Sequence, residues 1–292
     1  SNLANVYCER IRGEQTENLE RAIAYNEAAL EVYTHSTYPE QWAKTQNNLG
    51  VAYLSRLRGE RGKNLEKAIS CYNAALKIRT RNAHTEQWAE TQNNLANVYV
   101  ERVQGTRDEN LEQAIRCCEA ALGIYIRSAY PEKWAMSQNN LGNAYHSRIR
   151  GEREKNLERS IACSEAALEI YTRNALPQEH TKSLSNLGST YQSQSRYYSN
   201  DAAKKRTAIQ NAYTVFEQAL NTVEYLRGEI TSGDEAKHEL NEQWAGLYVG
   251  MVEVCLELGR YQDAIEYVDR SKARNLTELI ATRDAYPGGD IP

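Results

Sequence analysis

A short motif that returns every 46 residues constrains this chain more than any other feature. Asn48-Leu49-Gly50 recurs as Asn94-Leu95-Ala96, Asn140-Leu141-Gly142 and Asn186-Leu187-Gly188. In the first three of these units a tryptophan precedes the motif and a tyrosine follows it. A fixed period of this length is the signature of a tandem array, in which stacked units bury one continuous core. The sequence therefore predicts a repeat protein rather than a single globular core.

Composition limits the partners that the chain can attract. It has 292 residues, only 5 prolines and a formal net charge of −4. That charge gives no general electrostatic reason to bind nucleic acid or an anionic membrane. No apolar run approaches the roughly 20 residues of a membrane span, and no signal-peptide pattern opens the chain. We expect a soluble cytoplasmic protein that is helical throughout.

Within one unit the apolar residues follow a helical period. The spacing of Trp42, Leu49 and Tyr53 predicts a first helix at about residues 40–57. Gly59 stands where the C-cap of this helix is expected, and Asn64 where the N-cap of a second helix is expected. The equivalents of this glycine and this asparagine are Gly13, Gly105 and Gly151, and Asn18, Asn110 and Asn156. The predicted unit is a helix, a short turn and a second helix.

Small and aromatic residues mark the predicted contact between the two helices of a unit. They are Leu49, Gly50, Tyr53, Ala68, Tyr72 and Ala75. This pattern resembles the tetratricopeptide repeat, although the present unit is longer than the usual length of about 34 residues. Similar extended repeats occur in the kinesin light chains and in the Leu-Gly-Asn-repeat scaffold proteins. The resemblance implies an all-α fold, a right-handed superhelical α-solenoid of antiparallel helix pairs.

The repeats set the expected domain organisation. We predict a single solenoid over residues 1–281 and a linker at 285–292. The expected units are a partial repeat at 1–36, repeats at about 39–82, 85–128, 131–174, 178–230 and 234–272, and a C-terminal capping helix at about 273–284. The chain opens with the motif Asn2-Leu3-Ala4, which elsewhere lies midway through a first helix. We therefore expect a fragment of a longer protein.

A second resemblance covers the stretch from Phe216 to Leu279. It is carried by Ser232-Gly233-Asp234-Glu235-Ala236, by Glu257-Leu258-Gly259 and by the run from Ala264 to Leu276. These residues resemble the end of the repeat region in bacterial CHAT-domain proteins, where a caspase- or separase-like protease domain with a His/Cys dyad follows. The resemblance implies that the chain is the regulatory or sensing arm of such a protease. A stand-alone assembly scaffold is the alternative.

The sequence contains no local constellation for catalysis. Its 5 histidines are scattered, there is no glycine-rich phosphate loop, and no Cys/His cluster has the spacing of metal ligands. Cys71, Cys117 and Cys163 occupy one position in successive units, which places them too far apart for a disulfide. We expect buried or half-buried thiols, and no enzyme activity, cofactor or metal in this fragment.

An arginine ladder suggests a third class of function. It consists of Arg10, Arg56, Arg102 and Arg148. Such a ladder could follow a phosphate backbone and make the chain a nucleic-acid binder. Nearby carboxylates instead favour an ion-pair network at the helix ends. These carboxylates belong to Glu60, Glu101, Glu152 and Glu154.

The predicted binding surface is the face of the first helices opposite Leu49 and Tyr53, because successive helical residues are about 100° apart. In tetratricopeptide arrays this face lines the concave groove. The candidate binding residues are Lys44, Asn47, Asn48, Val51, Glu90, Asn93, Asn94, Asn97, Met136, Asn139, Asn140, Asn143, His146, Lys182 and Asn186. A carboxamide both donates and accepts, so a row of them can pair with the backbone of an extended peptide.

Two roles remain open for the asparagines. The row that contains Asn48, Asn94, Asn140 and Asn186 either contacts a ligand or braces neighbouring helices. For Asn47, Asn93 and Asn139, nearer the predicted groove centre, ligand contact is the favoured interpretation. The leading prediction is therefore an interaction module that binds an extended peptide or a partner protein, with a protease domain in cis as a further candidate partner.

Overall fold

The computed structural model describes residues 15–229 and 244–271, and every regular element in these ranges is an α-helix. The helices are α1 (Gln15–Val32), α2 (Pro39–Ser55), α3 (Arg61–Ala75), α4 (Thr85–Glu101), α5 (Arg107–Leu122), α6 (Pro131–Ser147), α7 (Arg153–Leu168), α8 (Pro177–Tyr197), α9 (Ala202–Glu229) and α10 (Ala245–Glu257), with residues 261–271 also helical. The predicted all-α fold of helix pairs is confirmed. The predicted capping helix and linker lie outside the described residues.

The first helix of a unit begins at a fixed point in the sequence. Pro39, Pro131 and Pro177 each occupy the first helical position of α2, α6 and α8. Proline suits this position because its φ is already helical and its missing N–H would have had no partner. After the first helix the chain leaves in an extended conformation at Arg56, Arg102 and Arg148.

The turn between the two helices differs from the sequence prediction. Gly59 has a φ of 83° but lies beyond the end of α2, whose C-cap is Arg56. Asn64 lies inside α3, whose N-cap is Glu60, and its buried Nδ2 donates to the Arg58 carbonyl at 2.9 Å. The predicted cap positions are therefore wrong. Asn64 closes the turn by holding a turn carbonyl, and α3 begins earlier than the N-cap rule suggested.

Glycine in the first helix makes room for an aromatic ring of the second helix. A Cβ atom on Gly50 would lie 2.6 Å from Cε1 of Tyr72, and one on Gly188 would lie 2.5 Å from Cε1 of Phe216. Both rings are almost fully buried. These close approaches fix how tightly the two helices of a unit pack. The predicted Leu/Gly/Tyr core face of the first helix is confirmed by the burial of Leu49, Gly50 and Tyr53.

The chain divides into two compact parts, each longer than one repeat unit: residues 1–151 and residues 152–292. In the described residues of the first part, α2 packs against α3 and α4 packs against α5. Each pair meets the next mainly through the contact of its second helix with the following first helix, and the first helices of neighbouring pairs touch as well. The second part, residues 152–292, has its own apolar cluster, in which Phe216, Leu247 and Met251 are buried. The prediction of one continuous solenoid stays a prediction.

The cysteines of the described residues are free thiols, as predicted. Cys71, Cys117, Cys118 and Cys255 are buried and Cys163 is half-buried. Burial raises the pKa of the Cys71 and Cys117 thiols to about 11, which keeps them protonated and unreactive near neutral pH.

Candidate partner-binding surface

The asparagine that was expected at the groove centre of α2 is buried between two first helices. Asn47 is 1% exposed. Its Oδ1 accepts from Thr91 Oγ1 at 3.0 Å and from Asn94 Nδ2 at 3.4 Å, and its Nδ2 donates to Glu90 Oε1 at 3.5 Å. All three partners belong to α4. Asn47 therefore braces α2 against the next first helix.

The same brace recurs one unit later. Asn93 is completely buried, and its Oδ1 accepts from Nδ2 of Asn140 at 3.2 Å. Asn139 is also buried, at 4% exposure. The prediction that Asn47, Asn93 and Asn139 present their amides to a ligand is wrong in its geometry, because the next first helix covers Asn47 and Asn93, and Asn139 is buried. Asn94 and Asn140 take part in the bracing that the sequence left open.

Other members of the predicted surface do reach solvent. Lys44, Asn143 and Lys182 are exposed, and half-buried positions are occupied by Asn48, Val51, Glu90, Asn94, Asn97, Met136, His146 and Asn186. Asn97 and Asn143 occupy one position in successive units. Neither makes a hydrogen bond within the part of the chain that the structure describes.

The arginine ladder forms ion pairs between successive units. Nε and Nη2 of Arg56 donate to the two oxygens of Glu20, both at 2.7 Å. Arg102 binds Glu66 in the same way, and Arg148 binds Glu112. The favoured ion-pair network is thus present, but with partners on the preceding second helix rather than the four predicted glutamates. Arg10 lies outside the described residues.

These pairs shift the pKa of two carboxyl groups. The hydrogen bond from Arg56 lowers the pKa of Glu20, and the hydrogen bond from Arg148 lowers the pKa of Glu112, in both cases against the effect of burial. Arg56, Arg102 and Arg148 are therefore neutralised by carboxylates of the chain itself, which weakens the nucleic-acid interpretation.

Sequence reasoning missed one charged residue beside this surface. Arg79, on the segment after α3, is 7% exposed and lines a pocket that also contains Lys44. Its equivalents at the 46-residue spacing are Tyr33, Tyr125 and Tyr171. Aligning the units by their motif would have revealed this exception.

The described residues hold no group of His, Cys, Asp and Glu side chains that could bind a metal ion. Nor does any helix among them have the length and apolar character needed to cross a membrane.

Repeated helix pairs with interlocked first helices define an α-helical repeat protein. Residues 88–127 match the tetratricopeptide repeat family. The chain is also similar to the crystal structure of BtubC (BKLC) from P. vanneervenii, with 21% identity, 94% of each chain covered and a TM-score of 0.57. That likeness shows the fold alone. No curated protein matches the chain.

Together, the match and the fold support a tetratricopeptide-repeat protein. Repeats of this class generally mediate protein–protein interactions, and all-helical repeat folds are typically not catalytic.

Proposed function

We propose that this chain is a protein-interaction module that binds an extended peptide or a partner protein on the exposed face of its first helices. The observation that carries the proposal is the pair of amides of Asn97 and Asn143, on α4 and α6, neither of which makes a hydrogen bond among the described residues. A carboxamide without such a bond, whether half-buried like Asn97 or exposed like Asn143, can donate to and accept from a peptide backbone.

Neighbouring side chains give this face a mixed character. Lys44 and Val51 lie on α2, and Met136 lies on α6. A cation, aliphatic groups and a flexible thioether next to free amides suit a partner that offers both backbone groups and apolar side chains. The inner asparagines, Asn47 and Asn93, are occupied in bracing neighbouring helices. We therefore assign the contact to the outer asparagines, Asn97 and Asn143, and to their exposed neighbours.

The test replaces both outer amides by a larger, charged side chain. The variant N97R/N143R should lose partner binding at least tenfold while its melting temperature stays close to that of the unchanged chain, since neither residue braces a helix. The matched control is N73R/N211R, which places the same substitutions at exposed positions on the second helices α3 and α9.

Partners are captured from a lysate of the source cell on immobilised chain and then measured one by one. A partner that N97R/N143R loses and N73R/N211R keeps supports the proposal. Equal binding by both variants would place the contact elsewhere.

Within this function, we assign the module to the regulatory arm of a CHAT-type protease. The support is the resemblance of Glu257-Leu258-Gly259 and of the run from Ala264 to Leu276 to the end of the repeat region in that family. The test is the complete gene together with an activity assay. A downstream protease domain whose turnover changes when the helical module is deleted would support the assignment, and a gene without that domain would favour the stand-alone scaffold.

A further inference from the structure

One junction between units is built differently from the others. In two units a tyrosine after the second helix stacks edge-on against the residue that precedes the next first helix. Tyr33 meets Tyr38 with ring centroids 5.8 Å apart, and Tyr125 meets Tyr130 at 5.6 Å. In the unit between them these positions hold Arg79 and His84. A flexible cation and a smaller ring replace an aromatic pair.

The backbone does not account for this difference. Arg79 N and Tyr125 N each donate to the carbonyl four residues earlier at 2.9 Å. His84 has φ −136° and ψ 58°, close to the −138° and 64° of Tyr38 and the −136° and 60° of Tyr130. The exchange of side chains alone therefore separates this junction from its neighbours.

The arginine also points to a different helix. The Tyr125 hydroxyl donates back to the Glu86 carbonyl, at the start of the first helix of its own unit, at 3.0 Å. Arg79 instead reaches forward to α4, where Nη1 donates to Thr91 Oγ1 at 3.0 Å. The space beside the start of α2 is left as a cavity of about 300 Å³, lined by Glu40, Lys44, Arg79 and His84 among others.

Arg79 has unused donors in this cavity. All of its hydrogen bonds in the described structure come from Nη1, which also contacts the Gln87 carbonyl at 3.5 Å and Glu90 Oε2 at 3.4 Å. Nε and Nη2 have no partner there. The guanidinium, with 9% of its side chain exposed, makes one neutral hydrogen bond, one long contact with a carbonyl and an ion pair with Glu90 at 3.4 Å, and it leaves Nε and Nη2 to solvent. Burial lowers the pKa of Arg79, and a bound anion would offset that loss of hydration.

We propose that this cavity binds a carboxylate of an acidic side chain in a protein partner, held by the Nε and Nη2 groups of Arg79. These two donors form the fork that matches two carboxylate oxygens. Lys44 lies at the cavity on the partner-binding face, so the inference specifies one contact of the proposed function and rests on it. Glu40 and Glu90 supply two negative charges against Arg79 and Lys44, which favours a singly charged carboxylate over a doubly charged phosphate.

The test measures binding to the isolated chain with a small probe, so it needs no partner. The probe is a capped tripeptide with a central glutamate, titrated while the NMR signal of the Arg79 Nε–H group is followed. This signal is identified by its absence in R79K. We expect a saturable shift at millimolar concentration, and binding of the matching glutamine tripeptide about tenfold weaker or undetectable because its hydrogen bonds are neutral at the acceptor.

The second arm uses a variant that copies the neighbouring junctions. R79Y/H84Y restores the aromatic pair on a backbone that already has the required conformation, so it should melt no lower than the unchanged chain and should not bind the probe. Equal affinity for the glutamate and glutamine probes, no shift of the Nε–H signal, or tighter binding of inorganic phosphate would each overturn the proposal.

Partner binding then separates this inference from the proposed function. A partner that is lost by N97R/N143R but is bound unchanged by R79Y/H84Y would leave the interaction module standing and remove the carboxylate site. A partner lost by both variants supports both.

Discussion

Replacing Asn47 by alanine tests whether the inner asparagines hold neighbouring units together. The substitution removes one good hydrogen bond, from Thr91 Oγ1, and two at 3.4 and 3.5 Å that involve Asn94 and Glu90. We take about 1 kcal/mol for the first bond and about 0.5 kcal/mol for each long one. The cavity left by the amide at a site 1% exposed adds to this loss. The free energy of unfolding should fall by roughly 2–3 kcal/mol.

Thermal and urea unfolding, each followed by circular dichroism, measure this change. A loss of this size lowers the melting temperature by roughly 4–12 °C in a domain of about 150–250 residues. The control is N97A, which removes the same amide from a position that makes no hydrogen bond in the described structure and should shift the free energy by less than about 0.5 kcal/mol.

A third variant, N93A, tests whether the loss of stability follows the number of hydrogen bonds that the amide makes. N93A should lower stability less than N47A, because the Asn93 amide makes one hydrogen bond through Oδ1 while its Nδ2 is buried without a partner. The reasoning fails if N47A melts with the unchanged chain, or if N97A is as damaging as N47A.

Three other outcomes follow from the contacts described above. E112Q should lower stability by about 1 kcal/mol at pH 7. Because Arg148 lowers the pKa of Glu112, this carboxylate stabilises the fold only above that lowered pKa, and the difference in stability should close as the pH falls below about 4. Unfolding titrations from pH 7 to pH 2.5 check this. G188A should destabilise the chain by about 1–3 kcal/mol because its Cβ would overlap the buried Phe216 ring. The control G62A has nothing within 4 Å of its new Cβ and should be neutral or stabilising by up to about 1 kcal/mol. Urea midpoints measure both changes. The purified chain should hydrolyse no peptide or ester substrate, and turnover that is abolished by a single cysteine or serine substitution would contradict this.

The period of 46 residues was enough to predict helix pairs, since apolar residues repeat at helical spacing inside a unit that itself repeats. The helical wheel failed at Asn47 for a physical reason. It placed this residue opposite Leu49 and Tyr53 and so assumed that one side of α2 meets protein and the other meets water. In a stacked array a first helix also touches the first helices of its neighbours, so its flanks are buried by contacts that a single helix does not reveal.

Local rules failed in the turn for a similar reason. An asparagine before an apolar run suggests an N-cap, in which the side-chain oxygen accepts from a backbone N–H group. Asn64 is instead buried against the turn, and its Nδ2 donates to the Arg58 carbonyl. The pocket at Arg79 could have been found in advance by comparing units, because it departs from the repeat. The availability of the Arg79 donors Nε and Nη2 could not have been predicted in this way, because it depends on the direction in which the side chain points.

The arginine–glutamate pair between units makes the joints interchangeable. Deleting residues 57–102 removes one whole period, and with it both Glu66 and Arg102, while the pairs Arg56–Glu20 and Arg148–Glu112 keep both of their members. The cut also removes Glu86, the ion-pair partner of Lys133, but Glu40 stands at the equivalent position one unit earlier and can take its place. A gene for such an array can gain or lose 46 codons at a time and change the length of the array without having to invent a new joint.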